Sequence, residues 1–182
     1  MPSHIDMKKN IVYKTALAAI LCALAVALNF LEGLLPEMPF LPPGAKPGLS
    51  NIITMFAAYS LGLPQAITIT LVKAGFTFIT RGVTASLMSL SGGMLSTLVM
   101  YFLLRYGKKI FGIIGISVLS SLSHNLGQLL VSVMITGSSK TFYYAPFLAI
   151  FGLVSGTLTG IIFRAVIPAL EKQKKNFYKF DN

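Results

Sequence analysis

The polar residues able to bind or react in this chain are few, and most lie inside apolar stretches. Ser117, Ser121, His124, Gln128 and Ser132 recur at steps of four, three, four and four, with Asn125 beside them. On a helix those steps draw one polar stripe, with His124, Asn125 and Gln128 as its strongest donors and acceptors. The stripe suits either hydrogen bonding between packed helices or the wall of a binding cavity. A second set, Thr70, Lys73, Thr77 and Arg81, also falls on one helical face. A lysine this deep in an apolar run is costly, so Lys73 either reaches toward headgroups or a backbone carbonyl, or meets an anionic ligand group. A third set lies in the segment Pro42-Pro43-Gly44-Ala45-Lys46-Pro47-Gly48-Leu49-Ser50-Asn51. It turns rigidly, presents Lys46 and places Asn51 in the first turn of the next helix, where unpaired N–H groups favour an anion. The alternative for this segment is an ordinary turn and helix cap. Together, Lys46, Asn51, Lys73, Arg81, His124, Asn125 and Gln128 are the candidate binding residues for a small polar or anionic molecule.

The chemistry these residues support is binding, with no reaction of their own. The five acids, Asp6, Glu32, Glu37, Glu171 and Asp181, stand near or beyond the ends of apolar runs, so no paired-carboxylate site is expected. His4, His124 and Cys22 are too few for a His/Cys metal site. No GxxxxGK[ST] loop occurs to cradle a nucleotide. Neither a catalytic residue, a metal nor a cofactor is expected, and the sequence offers no site for a nucleotide fuel.

These residues are positioned by membrane helices. Of 182 residues, 54% are hydrophobic and 11% are charged, whereas a soluble domain carries about 25% charged residues. Mean hydropathy is +0.76. A nucleic-acid partner would call for basic patches on a polar chain, and the Lys and Arg here are sparse and sit beside apolar runs. A helix needs about 20 apolar residues to cross a bilayer. Six spans are expected, at about 11–31, 48–63, 64–80, 86–104, 111–135 and 144–170, in one all-α integral membrane domain over 1–182.

Lys8, Lys9, Lys14, Arg105, Lys108, Lys109, Arg164, Lys172, Lys174, Lys175 and Lys179 then fall on one side, eleven of the 15 Lys and Arg. The positive-inside rule makes that side cytoplasmic, with both termini there. Lys46, Arg81 and Lys140 stay on the outer side, with Lys73 inside the third span. Reading the first span as a cleaved signal peptide, on the strength of Lys8, Lys9 and Ala25-Val26-Ala27, would leave five spans and separate the two basic ends.

Two small-residue stripes complete the pattern. Ala19, Ala23 and Ala27 in the first span and Gly152, Gly156 and Gly160 in the sixth each recur every fourth residue, which lets helix backbones approach closely. A stripe facing inward serves the bundle, and one facing outward is a docking surface.

The segments Pro43–Ile52, Ser89-Leu90-Ser91-Gly92-Gly93-Met94-Leu95-Ser96 and Ser123-His124-Asn125-Leu126-Gly127-Gln128-Leu129-Leu130 resemble the signature segments of the Gx transporter family, widely labelled heptaprenyl diphosphate synthase component I. The similarity runs from about Lys8 to about Leu170. The family is similar in size and layout to the substrate-binding S components of energy-coupling factor (ECF) transporters. The resemblance implies a multi-pass protein of the cell membrane that captures a vitamin-like or precursor molecule from outside. It would topple within a complex of two ATPases and a scaffold membrane subunit, docking through Ala19, Ala23 and Ala27. The family more often has Arg where Lys73 stands, a change that keeps the charge and loses a bidentate contact. The enzyme label fits poorly, because prenyl diphosphate synthases hold Mg²⁺ through aspartate-rich motifs and this chain has only Asp6 and Asp181. A non-catalytic partner of such an enzyme is the second reading, and a purely structural subunit the third.

Overall fold

The computed structural model describes residues 4–35, 42, 45–46 and 48–179, with side chains over 11–35, 42, 45–46, 48–169 and 171. The expected Pro43, Gly44 and Pro47 of the loop, Glu37, and the side chains of the basic terminal lysines lie outside these. The described residues form α1 (His4–Gly33), α2 (Asn51–Ser60), α3 (Leu63–Phe102), α4 (Lys108–Thr136) and α5 (Ala145–Lys179). A π-helical turn, Leu103–Gly107, joins α3 to α4, and a 3-10 stretch, Ser139–Tyr144, leads into α5. No strand occurs among the described residues.

The expectation of six helices therefore meets four long helices and a short one. Two of the expected six are arms of α3. Gly82 has φ 83° and ψ −176°, a backbone state that a Cβ makes costly, and the chain reverses there. Ser86 Oγ donates to the Ala74 carbonyl at 2.9 Å, and the Thr70 and Thr97 hydroxyls meet at 2.9 Å although 27 residues apart. In a straight helix that separation would span about 40 Å. A comparable break at Gly112, φ 59°, divides the first turn of α4 from its main body. The expected second span of 48–63 shrinks to the 10 residues of α2. That helix is about 15 Å long, half the thickness of a bilayer core.

Burial is arranged for lipid rather than for water. Ile79 and Met134 are 82% and 81% exposed, and the outer faces of α1, α3 and α5 are largely apolar. Thr70, Thr97, Ser117, Ser120 and Gln128 are buried. Where no water reaches the helices, polar groups turn inward to find partners. Ser117 meets Thr159 at 2.7 Å and Ser121 meets Ser155 at 2.8 Å, tying α4 to α5. An apolar cluster around Met55, Ala57, Ile69, Met100, Ile116 and Phe163 joins α2, α3, α4 and α5, with Phe56 edge-on to Phe163 at 4.8 Å.

The two small-residue stripes have opposite uses. A Cβ on Gly156 would lie 2.6 Å from Val118 Cα, and one on Gly160 would lie 2.9 Å from Ile114 Cα. The glycine stripe is thus the contact that lets α5 lie against α4. Ala19, Ala23 and Ala27 are exposed on α1.

Candidate binding site

The buried face of the first α3 arm carries Thr70, Lys73 and Thr77, exposed by 2%, 4% and 1%. Lys73 does not snorkel. Its Nζ donates to Asn51 Oδ1 at 3.0 Å, in the first turn of α2. On the facing α4, Gln128 reaches the loop that precedes α2. Its Oε1 accepts from the Lys46 N–H at 3.2 Å and its Nε2 donates to the Lys46 carbonyl at 3.3 Å. One side-chain amide therefore satisfies both backbone groups of a loop residue, as a neighbouring strand would.

The lysine side chain continues inward, where Nζ donates to the Asn29 carbonyl at 2.8 Å near the end of α1. Asn29 in turn donates to Thr77 Oγ1 at 2.8 Å. Glu32, one turn further along α1, is buried and accepts from both the N–H and the hydroxyl of Ser50, each at 3.0 Å. A carboxylate held at the start of α2 is favoured by the N–H groups and the dipole there.

His124 lies one turn from Gln128 and the two side chains are hydrogen-bonded through their Nε2 atoms. Because Gln128 Oε1 is the acceptor for Lys46, its Nε2 is the amide donor, so His124 Nε2 accepts. The imidazole then carries its proton on Nδ1, a buried atom that makes no hydrogen bond of good geometry.

Lys46, Lys73, Arg81, His124 and Gln128 line one cavity together with Asn29, Glu32, Ser50, Thr77 and Ser89. The structure thus gathers five of the seven expected residues, and Asn51 joins them through Lys73. Asn125 is turned away, donating to the Leu148 carbonyl at 2.7 Å on α5. The stripe on α4 divides accordingly: Ser117, Ser121 and Asn125 hold α5, while His124 and Gln128 face the cavity. Asn29 and Glu32 were missed from sequence because an acid at a span end reads as interfacial. Their three-residue spacing at the end of an apolar run was the available signal.

The cavity holds about 20 Å³, room for about one water. Pockets for small-molecule ligands occupy about 300–1,000 Å³. The described cavity is closed to a ligand of that size, and the Lys46 backbone is bonded to Gln128 of α4. A second cavity of about 10 Å³, lined by Asn51, Met55, Met100, Ser117 and Thr159 among others, shares Gly48 with the first.

Among the described residues, the lining carries the cations Lys46, Lys73 and Arg81 and the carboxylate Glu32. Burial, reinforced by Arg81 and Lys73, lowers the Lys46 pKa from 10.5 to about 8 against the opposing pull of Glu32. The sign of the resulting linkage is definite. Between about 8 and 10.5 the unfolded chain binds the proton that the folded chain has released, so Lys46 contributes stability that rises with pH across that window. Melting of the ligand-free protein by circular dichroism should show this rise, and Lys46→Met should remove that component. An identical pH profile in the variant would refute the assignment.

Comparison with known proteins agrees with this architecture. A search of curated proteins finds no match. The solved S component of a bacterial ECF transporter superposes with a TM-score of 0.59, covering 92% of this chain and 98% of that one at 16% identity. At that identity the likeness concerns the fold, which is that of an S component. The family model for heptaprenyl diphosphate synthase component I matches residues 21–166. Those residues include the Lys46 loop, both arms of α3, and the His124 and Gln128 face of α4, and the chain belongs to the heptaprenyl diphosphate synthase component I family.

Proposed function

We propose that this multi-pass membrane protein is the substrate-binding component of an ECF-type transporter, capturing a small molecule at the outer face of the cell membrane for uptake driven by partner ATPases. The observation that carries this reading is the polar, cation-bearing cavity enclosed within an S-component fold and lined by Lys46, Lys73, His124 and Gln128. Ionisable groups at membrane depth are costly and mark a functional site by default. With six apolar segments in the bilayer and both basic ends in the cytoplasm, the Lys46 loop faces outside. The direct test is native mass spectrometry of the protein purified from its own cells. A retained small molecule lost in Lys73→Ala and His124→Ala is the expected result, and undiminished retention in both would refute the site.

Partner docking is assigned to Ala19, Ala23 and Ala27. Their exposure supports it, as does the apolar trough of about 660 Å³ that they form with Cys22, Phe30 and Phe76. Ala23→Leu should cut co-purification of scaffold and ATPase subunits to about a tenth, because a larger side chain blocks close helix approach. Undiminished recovery would exclude this surface.

The family description favours a second reading, a non-catalytic membrane partner of heptaprenyl diphosphate synthase. It requires a co-purifying prenyl synthase whose activity depends on this chain.

A further inference from the structure

The two lysines buried in the cavity donate to neutral oxygens: Lys73 Nζ to Asn51 Oδ1 at 3.0 Å and Lys46 Nζ to the Asn29 carbonyl at 2.8 Å. Glu32, the carboxylate of the lining, has both oxygens engaged by Ser50. The stem of Arg81 and the Lys46 ammonium converge, since a Cβ on Gly33 would lie 3.6 Å from Arg81 Cδ and 3.2 Å from Lys46 Nζ. Buried charge is stable when paired, and amide oxygens solvate a cation without neutralising it. An anionic oxygen gives a buried ammonium, beyond the hydrogen bond, the attraction of an opposite charge that an amide oxygen lacks.

We infer that the substrate is an oxyanion, carboxylate or phosphate, whose oxygens replace Asn51 Oδ1 and the Asn29 carbonyl as acceptors for Lys73 and Lys46. The inference rests on the substrate-binding reading and names the class of molecule bound. It also accounts for the closed cavity. Asn51 and Gly48 border the second cavity, so releasing Asn51 from Lys73 removes the partition and makes room for the rest of the molecule. Thr77 and Ser89 in the first cavity, and Ser117 and Thr159 in the second, offer hydroxyls along that path.

The test uses the full chain purified in a neutral maltoside detergent, with melting followed by circular dichroism at pH 7. Inorganic phosphate and succinate are titrated separately, against sodium chloride at equal ionic strength, glycerol, and phosphatidylglycerol in mixed micelles. At least one of the two soluble anions should raise the midpoint saturably, while sodium chloride and glycerol should not. In the Lys46→Met/Lys73→Met double variant the apparent affinity should fall on the order of tenfold or more. Glu32→Gln removes the competing carboxylate and leaves acceptors for Ser50, so the anion should act at several-fold lower concentration, roughly in line with the loss of one like charge.

Absence of a saturable shift with both soluble anions overturns the inference, as does an equal shift in the double variant. A shift with phosphatidylglycerol alone makes the oxyanion a lipid headgroup and overturns it as substrate. If the double variant fails to fold, Glu32→Gln decides, and an unchanged or weaker response overturns the proposal. A chain without the anion response that still co-purifies with ATPases loses this inference alone. One that binds the anion and never joins an ATPase pair keeps the site and loses the transport reading.

Discussion

Gly127→Val should prevent α3 and α4 from closing on each other, lowering the melting midpoint on the order of 10 °C in detergent. A Cβ at Gly127 would stand 2.8 Å from Gly92 Cα, 2.8 Å from the Ser91 carbonyl oxygen and 2.9 Å from the Gly92 nitrogen. All three are backbone atoms, so no side chain can swing aside. Overpacking of this kind costs about 3 kcal/mol. The same contact carries a hydrogen bond from Ser91 Oγ to the Gly127 carbonyl at 3.0 Å, which separation of the helices would break. Gly75→Ala is the matched control, because a Cβ there meets nothing within 4 Å. It should be neutral, or stabilise by about 0.5–1 kcal/mol through helix propensity. Circular dichroism melts of both variants decide the matter. Equal midpoints for Gly127→Val and Gly75→Ala would show that the close approach of α3 and α4 is not as described.

Gln128→Leu should release the Lys46 backbone from the cavity wall. Leucine approximates the volume of the amide and supplies neither of its bonds, leaving the Lys46 N–H and carbonyl without the partners they have at 3.2 and 3.3 Å. Each unsatisfied backbone group costs about 1–3 kcal/mol unless water reaches it. The loop escapes that cost by lifting off α4 into water. Hydrogen exchange read by mass spectrometry should show the amides around Lys46 exchanging on the order of tenfold faster or more, with retention of the bound small molecule lost. Asn125→Ala, three positions away, should leave exchange around Lys46 unchanged and loosen α5, whose Leu148 carbonyl loses its side-chain donor at 2.7 Å. Loop protection equal to wild type in Gln128→Leu would sink the assignment of Gln128 as the residue that seats it.

Part of this was legible in the chain alone. Steps of three and four placed Thr70, Lys73, Thr77 and Arg81 on one face and His124 with Gln128 on another, and those two faces do meet. Periodicity is a local property of the helix, so it survives whatever the surroundings are. The same rule could not separate Asn125 from His124. Neighbours in sequence differ by about 100° around the helix, and only the placement of α5 shows that this rotation takes Asn125 out of the cavity. Glu32 was misjudged for a related reason. An acid at the end of a span is ordinarily solvated, and its burial depends on Ser50, 18 residues away, returning to meet it.

The two stripes of small residues draw the boundary most sharply. Composition and hydropathy determined by themselves that this chain lives in a membrane, because a charge content of 11% cannot clothe a water-soluble core of this size. The four-residue spacing marked Ala19, Ala23, Ala27 and Gly152, Gly156, Gly160 as small-residue faces that would permit close helix approach. Tertiary structure decided that the glycines meet α4 and that the alanines face outward. It also brought Lys46, Lys73 and Arg81 together with Glu32 in one cavity lining. The physical reason is that spacing fixes which residues share a face, whereas what the face looks upon depends on contacts between segments far apart in sequence. In a bilayer, where apolar burial does little to distinguish the inside of a bundle from lipid, polar contacts and close backbone approach make that decision.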